Sequence, residues 1–274
     1  MPEGRLIPHH GEAIVLRTWP FHEADLLVSL FTRDQGKVKG VARHAMKSRR
    51  RFGGALEPAT HVRAHYTERP RQELVRLDQF EILWSPLTAP IDYLRTAALQ
   101  LVVEVLEEAM PDLAADDNIY RLALTVLTSI QSGCPMSGLS DVGSQDVQGP
   151  QQIWLPVTYF CLWMNRLMGW MPELGHCSAC GLDLRSQAVY WSPTADGVTC
   201  HDDRRALYSG SQPSRALTAA SVAESHRIAR TPLADLLAEP WPPTRSTDLR
   251  AFAIGTLERH LERRLRSASA LFPR

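Results

Sequence analysis

Apolar and polar positions alternate in short runs from residue 11 to 84, and apolar positions then recur at helical spacing to the end of the chain. In the first part, Glu12–Thr18 and Asp25–Thr32 are apolar runs. Asp34-Gln35-Gly36 is a turn signal that sends the chain back through Lys37–Ala42, the returning strand of a hairpin. Between Ala59 and Thr67 the period is two: Val62, Ala64 and Tyr66 share one face, and His61, Arg63, His65 and Thr67 the other. Leu74–Leu83 supplies a fifth strand.

Five short strands joined by tight turns expose sheet edges unless the sheet closes on itself. The pattern therefore predicts a five-stranded barrel of the oligonucleotide-binding (OB) type. Helical spacing takes over after Pro86 and Pro90, at Leu94, Ala98, Leu101, Val105 and Ala109, and then at Ile119, Leu122, Val126 and Ile130. Ser, Gly and Pro mark residues 131–152 as a loop. A third helix carries Ile153, Val157, Phe160, Met164 and Leu167, with Pro156 confined to its first turn. Helical pattern resumes from Arg215 to Ala229 and from Ser246 to Leu271, with Ser246 as the N-cap of the last helix. The expected class is α+β and multidomain: an OB barrel over 1–84, a helical bundle over 85–174 and 205–274, and a finger-like insert over 175–204.

Composition narrows the setting. A chain of 274 residues, 44% of them hydrophobic, has core enough for more than one domain. No apolar run reaches the length of a transmembrane helix, and the N-terminus lacks the apolar stretch of a signal peptide, so a cytoplasmic protein is expected. Three of its five cysteines crowd between 177 and 200, which in that compartment points to metal rather than disulfides.

Charge is where the sequence becomes specific. The chain is neutral overall, yet Arg33, Lys37, Lys39, Arg43, Lys47, Arg49, Arg50 and Arg51 oppose only Asp34, a local charge of +7. Residues 90–150 carry −7. A neutral protein with one basic arm suits a polyanion, and a phosphate backbone is the commonest one. The competing reading is a solvated loop. Lys37, Lys39 and Arg43 fall on the hairpin strand, and the Lys47–Arg51 stretch follows as a flexible arm. Phe52 or Tyr66 could stack a base. No recognition helix is visible, so sequence-tolerant, salt-sensitive binding is expected. Arg259, Arg263 and Arg266 make a second basic face on the last helix, read either as solvated or as a further phosphate or acidic-peptide contact.

Cys177-Ser-Ala-Cys180-Gly181 is a zinc-knuckle start, with Cys200 at near-ribbon spacing. Asp203 stands where a fourth cysteine would, and His201 and His176 are alternative ligands. Such a site would be structural, because all four positions are filled. Cys134 reads as a stray thiol and Cys161 as a core residue. His9-His10 falls in an unstructured terminus, and His22-Glu23-Ala24-Asp25 reads as a charged turn. No phosphate loop, nucleophile elbow or HExxH is present, and nothing supports an enzyme.

Several strings resemble the opening of the bacterial RecO family: Glu12-Ala-Ile-Val-Leu-Arg17, His22-Glu-Ala-Asp25, Leu30-Phe-Thr-Arg33, Gly36-Lys-Val-Lys-Gly-Val-Ala-Arg43 and Leu56-Glu-Pro58. Leu174-Gly-His-Cys-Ser-Ala-Cys-Gly181 resembles its finger. The resemblance implies a recombination mediator that binds single- and double-stranded DNA and anneals complementary strands. It implies help in loading RecA onto DNA coated by single-strand-binding protein, with RecR, in the RecF pathway. It also implies docking on the acidic C-terminal tail of single-strand-binding protein, and work in the cytoplasm at the nucleoid. The family's DNA face maps onto the basic arm, and its four-cysteine finger is matched at three positions and departs at Asp203. The alternatives are an RNA-binding barrel and an adaptor acting through its helical part.

Overall fold

The computed structural model describes residues 6–69, 72–88, 92–132, 153–204 and 214–271. Of the loop expected over 131–152, residues 133–152, with Cys134, lie outside them, and Gln131 and Ser132 are helical instead. The chain divides into two compact units, one comprising Met1–Gln131 with Leu265–Arg274, the other Ser132–Arg264.

In the first unit, β1 (Ile7–Pro20), β2 (Leu26–Thr32), β3 (Gly36–Ala42), β4 (His61–Glu68) and β5 (Val75–Trp84) close a barrel in the order β1-β2-β3-β5-β4. Closure depends on β1, whose first half pairs with β4 and whose second half pairs with β2. A register shift between Val15 and Arg17 bends the strand from one partner to the other. His9 and His10 belong to this strand, opposite Tyr66 and His65, so the unstructured terminus expected for them is corrected. Pairing with β4 satisfies their main chain.

Alternation fills the barrel as read from the sequence. Ala13, Val15, Val28, Leu30, Val38, Val62, Ala64, Tyr66, Leu77 and Phe80 face inward. Phe52, from the loop after β3, enters the same core and meets Phe80 edge-on at 5.5 Å. Phe52 and Tyr66 are 2% and 4% exposed, so neither can stack a base, which corrects that expectation.

Helices α1 (Tyr93–Ala109) and α2 (Asp117–Ser132) fall in the same compact unit as the barrel, α2 up to Gln131. The reason is electrostatic as well as apolar. Lys37 Nζ donates to the Glu107 carbonyl at 2.8 Å, Ser29 Oγ to the Glu107 carboxylate at 2.5 Å, and Arg33 Nε to Asp117 at 2.7 Å. Phe31 packs on Tyr120 with ring centroids 5.8 Å apart. Gly36 makes the approach of the 112–114 segment possible: at φ +74°, an added Cβ would lie 2.2 Å from the Ala114 carbonyl.

The second unit packs α3 (Trp154–Leu167), α4 (Ala219–Ile228), α5 (Leu233–Leu236) and α6 (Thr247–His260) with a small hairpin, β6 (Val189–Trp191) and β7 (Arg215–Leu217). Arg215–Leu217 is therefore strand where helix was expected, and Thr218 caps α4 by accepting from Ser221. Asn165 ties α3 to α6 by donating to the Ala253 carbonyl at 2.8 Å. Ser246 does not cap with its side chain; it takes a left-handed φ of 53°. The expected helix from 246 to 271 breaks after His260, where Glu262 has φ 54°. A separate helix, α7 (Arg266–Leu271), follows in the first unit, where Glu104 of α1 accepts the Arg266 and Ser267 N–H groups at 2.9 Å each. Among the described residues no helix is long and apolar enough to cross a membrane.

Candidate nucleic-acid interface and metal centre

The eight residues of the basic arm do not share one environment. Lys37 is buried, committed to Glu107 and 3.3 Å from Asp112. Lys39 reaches the other Asp112 oxygen at 3.6 Å, and Arg33 is paired with Asp117. Arg51 is a staple rather than an arm. Its guanidinium donates to Ser48 at 3.0 Å and to the Arg43 carbonyl and lies over Phe52, while its carbonyl accepts from Phe80 N–H at 2.9 Å. Arg43, Lys47, Arg49 and Arg50 are exposed, with no ion-pair partner among the described residues. A short 3-10 turn, Ala45–Lys47, leads into the Lys47–Arg51 stretch that was expected to be flexible. It is moored to the β1–β2 loop by Met46 N–H to the Ala24 carbonyl and His44 N–H to Asp25 at 2.8 Å. Asp25 thus holds the turn that follows β3, a partner that reading residues 22–25 as a charged turn did not include.

Beside this turn lies a groove of 490 Å³, lined by Phe21, Val41, Arg43, Arg69, Gln72, Glu73, Leu74, Val75 and Arg76. It gathers the β1–β2 loop, the end of β3 and the β4–β5 loop, the region where OB folds bind oligonucleotides. Three arginines face one acid, Glu73, so the lining is cationic. Arg76 is oriented by Asp78 at 2.8 Å, and Asp78 in turn accepts from Thr67 at 2.7 Å. Phe21, 39% exposed, puts an aromatic ring at the groove. Sequence reading found Arg43 but missed Phe21, Arg69 and Arg76. They stand far apart in the chain, and only strand pairing brings them together.

The second basic face does not form as one helical stripe. Arg259 lies in the last turn of α6, bound to Asp196 at 2.7 Å and to the Ala195 carbonyl. Arg263 follows the break, and Arg266 opens α7 in the other unit.

In the second unit, the donor atoms of Cys177, Cys180, Cys200 and Asp203 all lie within 4.8 Å of one another. Gly181, at φ +75°, turns the knuckle so that its N–H returns to the Cys177 carbonyl at 2.9 Å. Main-chain N–H groups of Cys200 and Asp203 point at the sulfurs of Cys177 and Cys200, at 3.3 and 3.4 Å. Asp203 lies 3.2 Å from both of those sulfurs. A tetrahedral zinc with thiolate and carboxylate ligands needs sulfur–oxygen separations of about 3.5 Å, so the donor set fits. His201 turns instead to Asp202 and Tyr190, and His176 to Glu173, so neither alternative ligand joins the cluster.

Protonation is shared unequally across the cluster, with Asp203 helping to hold the Cys180 and Cys200 thiols up. Asp203 is held below the usual carboxylate range by the thiols of Cys180, Cys200 and Cys177. Hydrogen bonding to Asp203 pushes the Cys180 thiol up to about 12. Burial pushes Cys177 up, but the N–H groups of Cys180, Cys200 and Ala179 outweigh it and hold the thiol down. A divalent ion would let all three sulfurs ionise beside the carboxylate without mutual repulsion.

The same unit holds a groove of 790 Å³ bounded by Leu162, Trp163, Leu174 and Ile228, with Arg166, Arg185 and Arg230 exposed around it.

Comparison with known proteins agrees with both units. Residues 7–86 match the family model "Recombination protein O N terminal", and residues 145–269 match "Recombination protein O C terminal". DNA repair protein RecO of Koribacter versatilis is 46% identical over 261 residues, 95% of this chain and 97% of that one. The protein of the same name from Anaeromyxobacter sp. strain Fw109-5 is 32% identical over 253 residues, 92% of this chain and 91% of its own length. That from Geobacter sulfurreducens is 30% identical over 193 residues, 70% and 72%. With both halves matched by the family's models and 46% identity over 95% of its length to a RecO protein, this chain belongs to the RecO family.

Proposed function

We propose that this protein is a DNA repair and recombination mediator. It binds single- and double-stranded DNA on the barrel, anneals complementary strands, and assists RecA loading with RecR on DNA coated by single-strand-binding protein. The observation that carries the reading is the cationic groove of Arg43, Arg69 and Arg76 beside the exposed Lys47, Arg49 and Arg50. Cations along a barrel face neutralise phosphates and lower the repulsion between two strands. Contacts made mainly to the backbone leave complementary strands able to choose each other. Such work would place the protein in the cytoplasm, at the nucleoid.

The test is annealing of complementary oligonucleotides, with and without single-strand-binding protein, across a salt series. Acceleration that fades with salt, and is lost in an Arg43→Glu/Arg69→Glu/Arg76→Glu variant that still melts normally, supports the reading. No acceleration by the native protein in either condition would overturn it. RNA of the same sequence bound more tightly than DNA would favour the RNA-binding alternative.

The adaptor role is best served by the groove in the second unit. Apolar walls ringed by Arg166, Arg185 and Arg230 are complementary to an acidic, hydrophobic peptide such as the tail of single-strand-binding protein. Zinc, held by Cys177, Cys180, Cys200 and Asp203, would cross-link the 177–203 segment and leave no position for catalysis.

A further inference from the structure

The outer face of the barrel carries one row that spans four strands. Trp19 of β1 pairs with Leu27 of β2, Leu27 with Val41 of β3, and Val41 with Arg76 of β5. Neighbours along each strand, among them Val28, Ala42 and Leu77, point into the core, so this row points outward. Trp19, Leu27 and Val41 are half-buried, and Arg76 is exposed. Val41 and Arg76 already line the cationic groove. The Trp19 indole is thus only partly buried, on the same outward row as Val41 and Arg76 of the groove.

Two neighbours complete it. The Arg17 guanidinium lies 5.0 Å from the Trp19 ring centroid, bracing the indole and adding positive charge to it. Phe21, two residues on and exposed, stands at the groove itself, with its N–H held by the Asp25 carbonyl at 3.1 Å. Aromatic planes beside arginines are the combination that holds unpaired bases, because every base offers a π-face whatever its sequence. A duplex keeps its bases stacked inside and offers such a plane nothing.

We propose that Trp19, braced by Arg17, is a base-stacking platform that gives the barrel face its preference for unpaired over paired nucleic acid. The inference rests on the nucleic-acid reading above and deepens it. It assigns the backbone to the arginines of the groove and the bases to Trp19, so the two contributions can be separated by experiment.

The experiment compares three labelled probes at one salt concentration: an oligothymidylate, an abasic backbone of the same length, and a hairpin duplex. The native protein is expected to bind oligothymidylate about tenfold more tightly than the abasic strand. Trp19→Ala should remove most of that difference while leaving abasic and duplex affinities within about twofold, and Trp19→Phe should restore part of it. Equal binding of oligothymidylate and abasic strand by the native protein would overturn the platform, even with both bound well. So would a Trp19→Phe variant, normally folded by its melting temperature, that weakens all three probes alike. Failure of the native protein to bind any probe would remove the nucleic-acid reading itself, and the platform with it.

Discussion

The Lys37 ammonium donates to the main-chain carbonyl of Glu107 at 2.8 Å, and both groups are withdrawn from the surface that the basic run presents. The other seven residues of the run carry the same charge, and the fold puts them in different places. Lys37 rivets β3 to the C-terminal turn of α1, whose carbonyls gain from a nearby cation. Much of the −7 region is used in the same way. Asp112, Asp117, Glu104 and Glu107 each hold a group of the barrel or of α7 rather than facing a basic partner.

Lys37→Ala should therefore cost about 2 kcal/mol of stability, the range for a hydrogen bond from a charged donor. Arg49→Ala/Arg50→Ala should leave the melting temperature unchanged and make the salt dependence of single-strand binding shallower, by about 0.7 for each phosphate no longer neutralised. Thermal melts and a salt titration of both proteins check the division. A stable Lys37 variant with a shallower salt slope would reverse it.

Metal should stabilise the second unit. Untagged protein is expected to contain about one zinc per chain, to lose it in Asp203→Ala or Cys200→Ser, and to melt earlier after chelation. Elemental analysis beside a melt decides the matter. A zinc ratio near zero, with melting unaffected by chelator, would mean that the cluster is held by hydrogen bonds alone.

His61 makes the first unit sensitive to acid. Burial pushes its imidazole below the ordinary value, with Glu12, 3.5 Å away, working in the opposite direction and Tyr120 packed against the ring. The unfolded chain then binds the proton more readily than the folded one. Stability therefore rises with pH across the interval below about 6.5 and falls as the solution is acidified through the lowered folded value. His61→Gln should flatten this dependence in denaturant melts between pH 7 and 5. A slope identical to that of the native protein would show that other groups carry it. His260, lowered by burial and then by Arg259, makes a like contribution in the second unit.

Gly36→Ala should be among the most damaging single changes in the first unit. The new methyl would meet main-chain atoms of Ala114 rather than a movable side chain, and the positive φ adds strain of its own. A loss of about 3 kcal/mol or more is expected, read as a fall in the melting temperature. Unchanged stability would mean that the 112–114 segment yields without cost.

The barrel was legible because its signals are local. Alternation at Val62, Ala64 and Tyr66, the turn at Asp34-Gln35-Gly36 and the spacing of Cys177 and Cys180 depend only on neighbours in the chain. The errors share the opposite origin. Phe52 looked available for stacking because it follows the basic run, yet it fills the barrel against Phe80. Arg259, Arg263 and Arg266 looked like one stripe because their spacing is helical, yet the backbone turns at Glu262.

Adjacent residues alone determined the five strands and their inward faces, the first three helices, the knuckle at Cys177 and Cys180, and the concentration of positive charge between Arg33 and Arg51. Periodicity and turn chemistry are written in adjacent residues, and each element reports them before anything packs. Tertiary structure alone decided which of those charges are spent inside the protein and which reach solvent. It also chose Asp203 over His201 at the cluster, and it set Trp19 in line with Arg76. Those outcomes depend on distances between residues tens of positions apart, and strand register and helix packing set such distances only once the chain has folded.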